Sequence, residues 1–294
     1  MNNVELISDY MTDDGSRQLL NELTLKIFGF DFDGWVKGGY FEGDYIPYSF
    51  VENGKMLSNV SANRMHFLQK GVEKFYIQIG TVMTDDAFRK KGLAGRLLEH
   101  VVNEYEKDCD GIYLFGNLNA CDFYLKNGFK ITNQYRYFVK EKYLRNKSSG
   151  TGFLPVKDMG EDVKNRYLKL VRDCRYISSF EQMNKYGLQM FYTSGFGNVF
   201  YAEDIDCFIV KEQDDCTVLQ SVLCNEKLAL PDIICRLDLE DNKLQLGFTP
   251  LEEDMDMCSS ELFDGGEDYR FFYRGGELEA IERGRLYFPD LSHA

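Results

Sequence analysis

A cluster of cations lies where the sequence predicts that a helix begins. Residues 85–101 read DDAFRKKGLAGRLLEHV and carry four Lys or Arg residues within eight positions, although the chain of 294 residues has a formal net charge of −14. Unpaired N–H groups make a helix N-terminus partly positive, so cations there oppose the helix dipole. The same N–H groups bind phosphate, and glycine lets a ligand approach the backbone closely. The segment therefore predicts an anion site, and a solvated basic turn that only begins a helix is the alternative.

Hydrophobic spacing predicts the elements that would position this segment. The run KFYIQIGTVMT, residues 74–84, is apolar on both faces and predicts a central strand. Apolar residues three or four positions apart, from Gly92 to about Asp108, predict a helix. A short buried strand at 111–117 and a short helix at 120–129 are predicted next. The cationic turn thus lies between a central strand and the helix that follows it.

Less regular segments flank these elements. Residues 8–29 predict one or two short helices. Residues 30–48 are aromatic, acidic and glycine-rich, and predict a loop. Asn53-Gly54 lies between two alternating runs and predicts a β-hairpin. The alternating segment KITNQYRYFVKEKY, residues 130–143, predicts one further strand.

The second half of the chain repeats this order of elements. Residues 145–155 have the composition of a linker, helical patterns follow at 160–174 and 178–192, and several strands come after them. The strands FYIQIGTV and CTVLQSVL occupy matching places in the two series, which predicts an internal structural repeat, with chance similarity as the alternative. The sequence therefore predicts two domains, residues 1–145 and 146–294, and the second has no glycine-rich basic turn.

Bulk composition narrows the class of protein. Hydrophobic residues make up 44% of the chain and charged residues 28%, as in folded proteins. No run approaches 18 apolar residues and the first residues lack an apolar signal core, so we expect a cytoplasmic protein without a membrane span. The acidic balance disfavours nucleic acid as a partner. Eight scattered cysteines and three histidines predict reduced thiols and no metal site, with disulfides or metal binding by the cysteines as the alternative.

The turn and its neighbours together resemble the GNAT acyltransferases, the GCN5-related superfamily that uses acetyl-CoA. In that family a strand is followed by a [QR]-x-x-G-x-[GA] turn that opens a helix, and a later helix carries F-Y-x-K-x-G-F. Residues 89–94, RKKGLA, and residues 123–129, FYLKNGF, match these motifs, and the resemblance extends over about residues 45–140. Two departures are Thr84, where proline is common, and Ala94, where many members have glycine.

This resemblance implies an α/β GNAT acyl-CoA N-acyltransferase fold, with a mixed central sheet flanked by helices. The second half resembles the degenerate, acetyltransferase-like half of two-domain members, so the fold is expected to be duplicated. The resemblance also implies bound acetyl-CoA, its pyrophosphate on the turn and its pantetheine arm along the strand end. The implied cofactor-binding residues are Val82, Met83 and Thr84 at the strand end, Arg89, Lys90, Lys91, Gly92, Leu93, Ala94 and Gly95 in the turn, and Asn117, Asn119 and Tyr124 beyond it.

Tyr124 is the catalytic acid that the resemblance implies. A tyrosine hydroxyl with an ordinary pKa of about 10 can protonate the leaving CoA thiolate without being ionised at pH 7. An amine that attacks the acetyl carbonyl creates an oxyanion, which needs an N–H donor from the strand end at Thr81 or Val82. Packing of the Tyr124 ring against the sheet is the alternative.

The general base and the acceptor are less well marked in the sequence. Candidates for the base are Glu73, His66, Glu42, Asp44 and the carboxylate of Ala294, because the C-terminal carboxylate reaches the active site in some multi-domain relatives. The resemblance places the acceptor against residues 30–48 and the hairpin that follows them, and aromatic and acidic side chains of the loop would attract a cationic amine. The candidate acceptor-binding residues are Trp35, Tyr40, Glu42 and Tyr45. Burial of these aromatic rings on the sheet is the alternative.

These features predict an N-acetyltransferase that transfers the acetyl group of acetyl-CoA to a primary amine of a small molecule or peptide by direct attack. A non-catalytic sensor of acyl-CoA, or an interaction module, is the alternative from another functional class. Transfer of a longer acyl group is the alternative within the enzymes. Turnover across a panel of amines distinguishes the enzyme from the module.

Overall fold

The computed structural model describes residues 4–145, 150–174, 178–239 and 242–294. Its strands are β1 Glu5–Ser8, β2 Tyr45–Glu52, β3 Lys55–Gln69, β4 Val72–Thr84, β5 Gly111–Gly116, β6 Lys130–Thr132, β7 Gln134–Val139, β8 Leu154–Pro155, β9 Phe180–Gln182, β10 Val199–Ala202, β11 Cys207–Gln213, β12 Thr217–Cys224, β13 Leu244–Leu246, β14 Cys258–Phe263 and β15 Arg270–Arg274. Its α-helices are α1 Asp14–Phe28, α2 Asp33–Lys37, α3 Leu93–Tyr105, α4 Cys121–Lys126, α5 Glu141–Leu144, α6 Glu161–Asp173, α7 Tyr186–Thr193, α8 Leu230–Ile234 and α9 Ala280–Arg283. Within these ranges no helix is long and apolar enough to cross a membrane.

The first sheet holds the predicted central strand. Seven of its eight strands run in the order β1-β2-β3-β4-β5-β15-β6. The eighth strand, β9, pairs with β3 outside this path. Strand β4 pairs antiparallel with β3 and parallel with β5, so its central place is confirmed. Helix α3 packs on one face through Leu97, Leu98 and Val101, which are fully buried because they recur at helical spacing.

The second sheet is built in the same way. Its seven strands run in the order β14-β7-β13-β12-β11-β10-β8. Strand β12 pairs antiparallel with β11 and parallel with β13, as β4 does with β3 and β5. The two segments that suggested a repeat, FYIQIGTV and CTVLQSVL, therefore occupy equivalent strands, as the predicted repeat requires.

Each sheet contains a strand from the other half of the chain. Strand β7 pairs with β13 and β14 in the second sheet, and its Tyr137 and Val139 are buried in the core of that sheet. Strand β15 lies between β5 and β6 in the first sheet. The division predicted after residue 145, into 1–145 and 146–294, therefore does not coincide with the division between the sheets.

Three predicted elements differ from the structure. The single strand predicted over 130–143 is wrong, because β6 and β7 belong to different sheets and α5 follows them. Asn133 separates the two strands, and both its backbone N–H and its side-chain amide donate to Glu282 Oε2 at 3.0 Å. The predicted loop 30–48 contains helix α2 and the start of β2. The helix predicted over 178–192 is confirmed only at α7, because the first part of this range contains the strand β9. Residues 146–149 of the predicted linker lie outside the described residues.

Candidate functional site

The two central strands of the first sheet separate after a short parallel ladder. Strands β4 and β5 pair only from Tyr76 opposite Gly111 to Gln78 opposite Tyr113. Beyond these pairs β4 continues to Thr84 and β5 continues to Gly116, but the two strands are no longer paired with each other. Backbone N–H and C=O groups that face such a gap need other partners, and an extended ligand can supply them.

A β-bulge turns β4 at the start of this gap. Val60 of β3 opposes two residues of β4, Thr81 and Val82. Thr81 has a φ of +48°, and its carbonyl accepts a hydrogen bond from Asn59 Nδ2 at 2.9 Å. The hydroxyl of Tyr45 donates to Thr81 Oγ1 at 2.9 Å, so the surroundings hold a strained backbone in place. The bulge thereby takes Thr81 and Val82 out of the β3 ladder, and these are the two residues that were predicted to supply an N–H donor to an oxyanion.

The basic turn joins β4 to helix α3. Asp85 closes the turn, because its Oδ1 accepts from the Ala87 N–H at 3.0 Å and its Oδ2 lies 3.1 Å and 3.0 Å from the ammonium groups of Lys26 and Lys55. Gly92 is the N-cap residue of α3 with a φ of +75°, and no side chain among the described residues caps the helix. The first N–H groups of a thirteen-residue helix are thus open to an anion.

The cations of this turn lie at the protein surface. Arg89 pairs with Asp86 at 3.1 Å. Lys91 and Arg96 each lie over an aromatic ring, 4.4 Å and 4.8 Å from the ring centroids. Among the described residues, no ion pair neutralises Lys90, Lys91 or Arg96. The turn therefore keeps an excess of positive charge on an otherwise acidic chain.

A cavity of about 870 Å³, here called the transfer cavity, connects the strand gap with the turn. Of the predicted cofactor-binding residues, it is lined by Val82, Met83, Thr84, Arg89, Lys90, Ala94, Asn117, Asn119 and Tyr124. The others, Lys91, Gly92, Leu93 and Gly95, lie on the turn and the start of α3, and Leu93 is buried in the core. The volume lies within the range of small-molecule and cofactor sites.

Tyr124 faces the transfer cavity from helix α4. Its side chain is 6% exposed and packs against Phe272, with ring centroids 4.9 Å apart, while Gly116 leaves room for its ring. Its hydroxyl has no hydrogen-bond partner among the described residues. Burial raises the pKa of Tyr124 to about 12, because the phenolate would be poorly solvated. The hydroxyl is therefore a protonated donor throughout the neutral range.

Two residues from the end of the chain also line the transfer cavity. Asp268 and Ala294 lie on its wall beside the strand gap. A Cβ atom at Gly80 would lie only 2.7 Å from the Ala294 oxygen, so glycine permits this approach. The neighbouring His293 stacks on Phe115, with ring centroids 4.0 Å apart. Of these residues, the sequence pointed only to Ala294, through the resemblance. Asp268 and His293 could not be found in this way, because they reach the site through contacts across more than 170 residues that local spacing does not reveal.

The predicted acceptor-binding residues lie in a packed layer between α2, β2 and α7. Trp35 is buried, and its Nε1 donates to the Gly187 carbonyl at 2.7 Å. Tyr45 is buried against the bulge described above. Glu42 forms an ion pair with Arg172, and the ring of Tyr40 packs near that of Tyr186. None of the four lines the transfer cavity, so their role in binding an acceptor stays a prediction.

The side chains proposed as general base lie away from the transfer cavity. Glu73 is seven residues before Gly80 on an extended strand, a separation of about 23 Å. His66 stacks on Phe75 near the same end of the sheet, with ring centroids 4.8 Å apart. Asp44 accepts from Asn184 Nδ2 at 2.8 Å, and burial raises its pKa. Of the five candidates, only Ala294 lies on the cavity wall.

The possible metal ligands and the cysteines are dispersed through the described part of the chain. Within the described ranges, no cluster of three or more His, Cys, Asp or Glu residues is arranged to hold a metal ion. No disulfide joins the eight cysteines, and five of them are buried.

Comparisons with known proteins agree with this geometry. The family model described as Acetyltransferase (GNAT) domain matches residues 54–131, which include β3, β4 with its bulge, the basic turn and the helix of Tyr124. No curated protein sequence matches the chain. The chain covers 72–76% of each of three solved structures that it resembles. The first is a conserved protein of unknown function from Enterococcus faecalis V583, with 12% identity over 95% of this chain and a TM-score of 0.56. The second is a GCN5-related N-acetyltransferase from Kribbella flavida, with 12% identity over 92% of this chain and a TM-score of 0.56. The third is Eis1 from Mycobacterium abscessus, with 13% identity over 96% of this chain and a TM-score of 0.55.

The fold is that of the GNAT acyltransferases, with two mixed sheets flanked by helices. The family model matches residues 54–131, which lie inside the part of the sequence that resembles the GNAT superfamily, so the resemblance is confirmed for this segment. The two equivalent sheets are consistent with a duplicated, two-domain arrangement.

Proposed function

We propose that the protein is an acetyl-CoA-dependent N-acetyltransferase acting on a primary amine. The observation that carries this proposal is the continuity of the transfer cavity, which has a basic helix N-terminus at one end and a bulged strand with Tyr124 at the other. The open N–H groups of α3, with Arg89 and Lys90, would bind the pyrophosphate. The unpaired edge of β4 at Val82, Met83 and Thr84 would pair with the amides of the pantetheine arm, and Asn117 and Asn119 would flank it.

The acyl transfer then uses few protein groups. The N–H groups of the Thr81–Val82 bulge stabilise the oxyanion that forms as the amine nitrogen makes its new C–N bond with the acetyl carbon. The hydroxyl of Tyr124 donates a proton to the CoA sulfur as the C–S bond breaks, and solvent returns that proton to the phenolate. A base takes up the proton that the amine nitrogen releases. The products are the acetamide and free CoA, and no covalent enzyme intermediate is required.

Two carboxyl groups beside the strand gap are candidates for the base. One is the side chain of Asp268, and the other, in a chain that ends at residue 294, is the α-carboxylate of Ala294. Either group would act directly or through one water molecule. Two variants would identify the base: Asp268→Asn and, separately, a chain extended beyond Ala294. Only the variant that lacks the true base should shift the acidic limb of the pH profile of kcat/KM.

Tyr124→Phe tests the assigned chemistry. Turnover by wild type and variant would be followed as free-thiol release from acetyl-CoA with a panel of primary amines. We expect kcat to fall about 100-fold in the variant, a common value for loss of an acid catalyst, with the Kd for acetyl-CoA changed less than about threefold. A variant with the wild-type rate would remove Tyr124 from the mechanism. Acetyl-CoA binding without turnover of any amine by the wild type would favour the non-catalytic acyl-CoA sensor.

A further inference from the structure

The second sheet has an open face opposite its core. Along β7, β12, β13 and β14 alternate side chains enter the core, among them Tyr137, Leu219 and Leu246. The intervening positions line a cavity of about 460 Å³, here called the acidic cavity. The corresponding face of the first sheet is filled by an aromatic cluster that includes Phe67 and Phe288. This face of the second sheet therefore lines a cavity and is not filled by an aromatic cluster.

The acidic cavity has the charge and lining of a site for an organic cation. Its acidic residues are Glu212, Asp214, Asp215, Glu261 and Asp290, against only Arg136 and Lys243 as cations. Among the described residues none of these seven is in an ion pair. Aromatic rings, including that of Tyr269, complete the walls. Carboxylates and ring faces together favour ammonium groups on a flexible organic chain over a bare metal ion.

Three polar atoms in this cavity are buried without a partner. Gln220 is 8% exposed, and its Oε1 makes no hydrogen bond within the described part of the chain. The same holds for Arg136 Nε and His293 Nε2. A buried polar atom without a partner is destabilising, so such atoms are rare outside functional sites. A ligand N–H group placed at Gln220 would satisfy its oxygen.

The acidic cavity adjoins the transfer cavity. Asp268 and Ala294 line the transfer cavity, whereas the adjacent residues Tyr269 and His293 line the acidic cavity. The His293 ring stacks on Phe115, which belongs to the wall of the transfer cavity. The side chains of Tyr269 and His293, here called the Tyr269–His293 layer, thus belong to the wall between the two cavities.

We propose that the acidic cavity holds the body of the acceptor, and that the acceptor is an organic polyamine. One amino group passes the Tyr269–His293 layer to reach the transfer cavity. The remaining ammonium groups lie among the carboxylates of the second sheet, and one of them donates to Gln220 Oε1. This inference rests on the proposed acetyl transfer, and it moves the acceptor from residues 30–48 to the second half of the chain.

Calorimetric titration of the whole protein with spermidine tests the inference. Glu212 and Glu261 are exposed, so the double variant Glu212→Gln/Glu261→Gln is expected to fold normally. We expect the Kd for spermidine to rise at least tenfold in this variant and to stay within twofold in the control Glu203→Gln/Glu226→Gln, which alters two exposed glutamates elsewhere in the second half. A second variant, Gln220→Met, should weaken spermidine binding while thermal stability is maintained or increased, because it removes an unsatisfied buried atom.

Acetyl-CoA is titrated in parallel to separate the two proposals. If acetyl-CoA binds but spermidine does not, or if both double variants bind spermidine equally, the polyamine inference is overturned and the acetyltransferase proposal stands. If spermidine binding depends on Glu212, Glu261 and Gln220 while acetyl-CoA fails to bind, the cavity is a polyamine site but the proposed transfer is refuted. Binding of both ligands, with spermidine acetylated, supports the two together.

Discussion

At the scale of single residues, Gly80 decides how closely Ala294 approaches the strand gap. A methyl group at this position would lie 2.7 Å from the Ala294 oxygen and 2.9 Å from its carbonyl carbon. Gly80→Ala should therefore displace Ala294 and lower kcat/KM for the best amine at least tenfold, with acetyl-CoA affinity within about threefold. Gly34→Ala is the control, since its added Cβ meets nothing within 4 Å. Equal kcat/KM for Gly80→Ala and the control would mean that the place of Ala294 is not needed for turnover.

Asp290 gives the protein a pH dependence of stability that can be measured. Burial raises its pKa from the ordinary 3.8 to about 6, so the fold favours the protonated carboxyl. The resulting stability is present below about pH 3.8 and is lost as the pH rises through about 6. Asp290→Asn should keep the hydrogen bond from Tyr287 and raise Tm by roughly 3 °C at pH 8. The difference should vanish near pH 4, and a constant difference at both pH values would contradict the assignment.

Some site residues follow from the sequence and others do not. The turn residues and Tyr124 could be predicted from the sequence because a short motif specifies each within a single strand–turn–helix unit. Asp268 and Gln220 could not be predicted, because no motif near them in the chain marks them. They become part of a proposed site only through tertiary contacts. Trp35 and Tyr45 were predicted to bind an acceptor because they lie in an aromatic, acidic segment. Both rings are buried, and their role in binding stays a prediction.

At the scale of elements, the turn before α3 is where glycine is required. Gly92 has a φ of +75° with open space around it, so a longer side chain there would enter the proposed anion site. Gly92→Glu should lose acetyl-CoA binding by at least 100-fold, through charge repulsion and obstruction of the N–H groups. Gly71→Glu is a matched control, since Gly71 also has a positive φ, +80°, and open space, and lies in the turn between β3 and β4.

Both glycine variants should lose about 1 kcal/mol of stability from backbone strain. Only the Gly92 variant should lose acetyl-CoA. Calorimetry and thermal melts of the two proteins measure both quantities, and equal acetyl-CoA affinity in the two variants would show that the turn has only a structural role.

Most elements could be predicted because the periodic spacing of their apolar residues is contained within each element. The central strand, helix α3 and the hairpin at Asn53-Gly54 appear as predicted. The segment 130–143 was not predictable, because alternation fixes which face a side chain takes but not which sheet a strand joins. Its break at Asn133 depends on Glu282, which is 149 residues away.

At the scale of the whole molecule, the exchanged strands tie the two halves together. Strand β6 pairs only with β15 among the described strands, and β7 has all its partners in the second sheet. A fragment of residues 1–145 would therefore lack β15 and would expose the apolar residues of β7. We expect this fragment to be aggregated or unfolded by circular dichroism, whereas the full chain melts in one transition. A fragment that melts cooperatively and binds acetyl-CoA as the full chain does would show that the halves fold independently.

The central claim is that the cations of residues 89–96 bind the pyrophosphate of acetyl-CoA, and one titration tests it most directly. Purified protein would be titrated calorimetrically with acetyl-CoA, free CoA and ATP under the same conditions. We predict micromolar binding of acetyl-CoA and CoA, lost in Gly92→Glu, and much weaker binding of ATP, which has phosphates but no pantetheine arm. No binding of acetyl-CoA or CoA would contradict the claim and would reduce the likeness to the GNAT acyltransferases to a shared fold.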